Sequence, residues 1–208
     1  METTYIEIDS PDKHLSDVLE EIPSNVILYK TLTGIGATYS EIKAQRHSII
    51  IEPNVPVIIG KCNSAKHKND NLLGVYEGVT TDRIIKYLGA SRGKYYKILT
   101  TPESFTKVKD AFLIFNGKIY NTCFLLIDEA HKTIKDVDYR SDIVLPMNDF
   151  FKFKGKALVS ATPLELSDPR FNDFQRLVIE PQFSYDKDIH IQYTNNTLER
   201  FKVTVRDS

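Results

Sequence analysis

Leu125-Leu126-Ile127-Asp128-Glu129-Ala130-His131 sets an apolar run directly against two carboxylates. A run without alternation suits a strand covered on both faces, and such strands belong to parallel sheets flanked by helices. Ending that strand in Asp-Glu delivers both acids to the carboxyl edge of the sheet, where open α/β folds keep their ligands. The pattern recurs twice. Val26-Ile27-Leu28-Tyr29 runs into Thr33-Gly34-Ile35-Gly36-Ala37-Thr38, and Ala157-Leu158-Val159 runs into Ser160-Ala161-Thr162-Pro163. Three strand-then-polar-loop units in this order suggest a phosphate-handling nucleotide site.

Further strands are expected at Ser48–Glu52, Leu72–Tyr76, Tyr96–Thr100, Cys123–Ile127 and Leu177–Ile179. Helical segments fill the gaps. Ser10-Pro11 reads as N-cap and first-turn proline of a helix carrying Leu15, Val18, Leu19 and Ile22 on one face. Thr80-Thr81-Asp82 caps Arg83–Leu88 with Gly89 at its end, and Pro102–Phe115 ends near Gly117. The alternation predicts an α/β fold with a doubly wound, mostly parallel sheet. Residues 1–25 read as a helical lead-in, 26–181 as the main domain, and 182–208 as a β-rich tail through Ile189–Tyr193 and Phe201–Val205.

Composition excludes little but excludes it firmly. A length of 208 residues with 41% hydrophobic content is ample for a buried core. The net charge of -1 gives no global attraction for nucleic acid, so any such contact must be local. Cys62 and Cys123 lack the spacing of a zinc site or a disulfide framework. The amino terminus lacks signal-peptide regions, and runs such as Ala111–Phe115 are too short to span a bilayer. A cytoplasmic protein with no membrane partner is expected.

These segments together resemble the first RecA-like domain of a superfamily 2 helicase of the DEAD/DEAH type. Asp128-Glu129-Ala130-His131 matches the Walker B motif, and Ser160-Ala161-Thr162 matches the motif that couples nucleotide to nucleic acid. Thr100-Thr101-Pro102-Glu103-Ser104 and the glycine loop fall in the family's order, from about Tyr29 to Pro163. The resemblance implies ATP bound with Mg²⁺. Thr33, Gly34, Ile35, Gly36, Ala37 and Thr38 would cradle phosphate, Thr38 and Asp128 would hold the metal, and Glu129 would polarise the attacking water. His131 would link the nucleotide to Ser160, Ala161 and Thr162. Pro53, Lys61, Thr101, Pro102 and Glu103 would touch a single- or double-stranded nucleic acid.

One position departs from the family. Ala37 stands where the family carries a lysine whose charge-assisted bonds are worth about 1.5–3 kcal/mol, or roughly 10- to 150-fold in affinity. Lys30 at the preceding strand end is the candidate substitute; otherwise it is a solvated charge. Each motif also has a plainer reading: a strand-to-helix turn, an acidic helix cap, a capping hydroxyl pair, a solvated basic loop around Lys61, Lys66, His67 and Lys68. The resemblance implies an ATP hydrolase of helicase type that needs a second RecA-like domain, with its arginine, and is nearly inactive alone. The alternative is a non-hydrolysing, helicase-derived module that binds nucleic acid or protein.

Overall fold

A computed structural model describes residues 2–31, 34–135 and 144–183. Thr33 and the two strands expected within 182–208 lie outside the described residues.

Eight parallel strands form one sheet in the order β1-β8-β2-β7-β6-β3-β5-β4. The strands are β1 Thr3–Ile8, β2 Val26–Lys30, β3 Ser48–Ile51, β4 Leu72–Val75, β5 Lys97–Thr100, β6 Phe124–Ile127, β7 Gly155–Ser160 and β8 Gln175–Pro181. The helices are α1 Leu15–Val18, α2 Ala37–Lys43, α3 Val55–Asn63, α4 Thr81–Ala90, α5 Phe105–Phe115, α6 Ile119–Thr122, α7 Ala130–Lys135 and α8 Val144–Phe150. None of the described helices is long and apolar enough to cross a membrane.

The continuous apolar runs are explained by burial on both faces. Along β6, Leu125 and Ile127 join one core with Ile49, Ile51, Phe105 and Phe150. Phe124 and Leu126 point the other way, into a core with Ile50, Leu99, Ile42 and Ile58. Strand side chains alternate between faces, so a strand buried on both must be apolar at every position.

Four local expectations are corrected. Residues 3–8 form an edge strand paired in parallel with β8 instead of a helical lead-in. Ser10-Pro11 makes a turn, with the Lys13 N–H donating to Ser10 O at 3.2 Å, and the helix is only the single turn α1 with His14 as its N-cap. Asp17 wins that cap by accepting the His14 N–H at 2.7 Å. Gly89 lies inside α4, which is closed by Ser91. Pro102 precedes α5 by a turn, whereas Gly117, with φ +66, ends that helix as expected.

Sheet order is what assembles the site. β7 lies between β2 and β6, with Tyr29 opposite Ser160 and Ile127 opposite Leu158. Neighbouring strands are about 4.8 Å apart, so the loops after β2, β7 and β6 emerge side by side at one edge.

Candidate nucleotide site

The loop after β2 turns through two glycines with left-handed backbone, Gly34 at φ +78 and Gly36 at φ +86. A side chain at either position would strain that conformation. α2 starts directly at Ala37, placing Thr38 over the end of β6, where its hydroxyl hydrogen-bonds Asp128 Oδ2. Asp128 is fixed from the other side, its backbone N–H donating to Ile51 O at 2.9 Å. Glu129 sits at φ +50, a strained conformation for a non-glycine residue and one that functional sites concentrate. Gly34, Ile35, Gly36, Ala37, Thr38 and Asp128 share the wall of a cavity of about 400 Å³.

Lys30 crosses this cavity floor. Its Nζ lies 2.8 Å from Asp128 Oδ1 and 2.6 Å from Glu129 Oε1. Lys30 and Asp128 are both buried, so Lys30 is not the solvated strand-end charge that its position allowed. Burial opposes the charge on Lys30, but Asp128 and Glu129 outweigh it and hold the ammonium above its ordinary range. Burial likewise pushes the Asp128 carboxyl up, yet Lys30 and the Thr38 hydroxyl hold it below the usual carboxylate range. Both groups are therefore charged at neutral pH.

Ser160, fully buried at the end of β7, donates to Thr162 O at 2.6 Å and accepts the Thr162 N–H at 3.2 Å. His131 Nδ1 lies 3.2 Å from the same Ser160 oxygen. With the hydroxyl proton directed to Thr162, His131 is the donor in that contact. Its Nε2 stands 3.5 Å from Glu129 Oε2, so the ring lies between Glu129 and the end of β7. Ser160 thus meets the acids through His131, and Thr162 takes part through its backbone while its side chain is exposed.

The turns expected to meet nucleic acid leave the same edge further along. β3 is the neighbour of β6, and β5 the neighbour of β3, so Pro53 and Thr101–Glu103 follow in line. Thr101 and Pro102 are buried and Glu103 is exposed. The Thr101 hydroxyl is used locally, accepting the Ser104 N–H at 3.3 Å. Lys61 stands apart from the basic loop around His67: it lines the same cavity as Lys30 and Asp128, its Nζ 3.3 Å from Glu52 Oε2. His67 instead pairs with Asp70 at 2.7 Å and is buried.

Glu52, expected only within the turn that would meet nucleic acid, was not anticipated as a cavity residue. It is 3% exposed at the end of β3 and lines the cavity. Burial pushes its carboxyl above the ordinary range, with Lys61 offsetting only part of the effect. Its one sequence signal is a charge directly after an apolar strand; the neighbourhood of β3 and β6 is invisible locally.

No protein-family model matches this sequence, and no curated protein matches it. Solved structures do. A hypothetical ATP-dependent RNA helicase from Sulfolobus tokodaii superposes with a TM-score of 0.50 at 17% identity over 74% of this chain. The Hef helicase domain of Pyrococcus furiosus gives 0.52 at 13% identity over 78%. A DEAD box protein from Methanococcus jannaschii gives 0.51 at 20% identity over 75%. The chain spans 48%, 36% and 45% of the lengths of those three. With an all-parallel eight-stranded sheet among its described residues, this chain has the RecA-like α/β fold of those three structures.

Proposed function

We propose that the chain is the nucleotide-binding motor domain of an ATP-dependent nucleic-acid helicase or translocase. The observation that carries this is the meeting of Thr38, Lys30, Asp128 and Glu129 at one wall of the cavity. α2 has only seven residues, so its dipole alone is a weak anion trap. Phosphate binding falls instead to the loop N–H groups and to the ammonium of Lys30.

The residues fit magnesium. Asp128 and Thr38 present hard oxygen donors side by side, and Mg²⁺ is commonly held by one or two carboxylates with phosphate and water supplying the rest. Bound there, the ion would neutralise charge developing on the transferred phosphoryl group. Lys30 would then leave Asp128 for the phosphates, and Glu129 would be free to orient the attacking water. His131, between Glu129 and Ser160, would report the state of the acids to the loop at Ala161 and Thr162.

Hydrolysis would need a second RecA-like domain to close over the nucleotide and add its arginine, a contribution on the order of 10³–10⁵ in rate in related phosphotransfer systems. Nucleic acid would lie across Pro53 and Thr101–Glu103, held by its backbone without base reading. Among the structural neighbours, one carries the description hypothetical ATP-dependent RNA helicase, which supports a nucleic-acid substrate.

Calorimetric titration of the chain with Mg·ATP tests the proposal. Binding that is weakened in Asp128→Ala supports it; binding equal in both, or absent from the unaltered chain, refutes it. Ala37 favours a second reading, a non-hydrolysing module. Nucleic-acid binding that is indifferent to ATP would decide for that module.

A further inference from the structure

Lys61 lines the same cavity as the glycine loop. It sits on α3, and its side chain returns to Glu52, the residue that follows β3. The Glu52 N–H donates to Thr100 O at 2.9 Å, fixing the backbone, and β3 lies beside β6. The Glu52 carboxylate is thereby set near that of Asp128 in a largely buried position.

The charges around the cavity balance as they stand. Lys30, Lys61 and Lys132 face Glu52, Asp128 and Glu129. A nucleotide triphosphate with one divalent cation still brings about two negative charges, which must find cations on the walls or remain uncompensated. Lys30 can supply one. It is held by two carboxylates at 2.8 and 2.6 Å. Lys61 is held by one, at 3.3 Å, with its side chain 23% exposed, so it is the easier of the two to move. A lysine has a flexible four-carbon stem and three rotatable donors, which suits an exchange of partners.

We propose that Lys61 is a second phosphate-binding cation of this site, parked on Glu52 until a nucleoside triphosphate enters. This rests on the nucleotide reading above. The lysine missing at Ala37 is then replaced by two ammonium groups, one from the strand before the loop and one from α3. Glu52 is the holding partner and competes with phosphate for Lys61.

The test separates a phosphate contact from mere neutralisation of Glu52. Mg·ATP and Mg·ADP affinities are measured by calorimetry for the unaltered chain, Glu52→Gln, Lys61→Met and the double variant, each first shown to be folded by its thermal transition. Glu52→Gln, which releases Lys61, should tighten ATP several-fold. Adding Lys61→Met to that background should weaken ATP by about tenfold or more, the lower end of a charge-assisted bond, and ADP by less. A double variant that binds ATP as Glu52→Gln does would overturn the role of Lys61 while leaving the nucleotide site standing. An unaltered chain that takes up neither nucleotide would overturn both.

Discussion

Lys30 precedes Asp128 by 98 residues, yet its Nζ lies 2.8 Å from the Asp128 Oδ1 atom in the buried floor of the cavity. The strand before the glycine loop thus supplies an ammonium to the site whose loop carries Ala37. Resting on Asp128 and Glu129, that ammonium also occupies the acid that would hold a metal and the one that would orient water. The same contact partly neutralises the two acids in the cavity wall.

Asp128 should make nucleotide binding metal-dependent. In the unaltered chain, chelating Mg²⁺ should weaken ATP binding about tenfold or more, because a phosphate-bridging ion carries much of the local charge. In Asp128→Ala the affinities with and without chelator should agree. Paired calorimetric titrations check this, and equal metal dependence in both proteins would contradict it.

The far end of α2 is held by Lys97. Its buried Nζ donates to Glu41 O at 2.8 Å, to Ala44 O at 2.9 Å and to Ser48 Oγ at 3.0 Å. Lys97→Met should cost about 1.5–3 kcal/mol at pH 7, the range for hydrogen bonds from a charged group. Burial lowers the Lys97 pKa to about 8, against 10.5 for the free side chain. Between those values the unfolded chain binds more protons, so this group's contribution to stability rises with pH. Urea midpoints at pH 7.5 and 9.5 should show the gap between unaltered and Lys97→Met protein widening; a constant gap would remove the titration from Lys97.

Much of the fold was legible because burial on both faces leaves no freedom in composition. β2 through β8 announce themselves as apolar runs, and the polar turns after them fix where the carboxyl edge must be. β1 was hidden for the converse reason: at the sheet edge only Ile8 is buried, and Thr3, Thr4 and Tyr5 stay exposed. The loop glycines and the two acids were legible as local patterns. What local sequence could not supply was sheet order. Lys30 turns inward only because β6 lies one strand beyond β7, and Glu52 meets the cavity only because β3 lies beside β6.

Nucleic-acid binding by this chain should be weak and governed by phosphate. Titration with a fluorescent oligonucleotide at rising salt should give a falling log affinity, with a slope of about 0.7 per phosphate contacted on a single strand. Affinity should change little between sequences of equal length. Salt-insensitive or sequence-selective binding would remove the backbone contacts from Pro53 and Thr101–Glu103.

A double-mutant cycle on ATP affinity with Lys30→Ala and Ala37→Lys tests the central claim that the site's cation has moved from the loop to the strand. Lys30→Ala alone should weaken Mg·ATP binding by roughly 10- to 150-fold, the worth of one charge-assisted contact. Adding Ala37→Lys, at a buried position on the cavity wall, should recover most of that loss. In the unaltered background Ala37→Lys should gain far less, since both cations would serve the same phosphates. Additive effects of the two substitutions, or an unchanged affinity in Lys30→Ala, would contradict the claim.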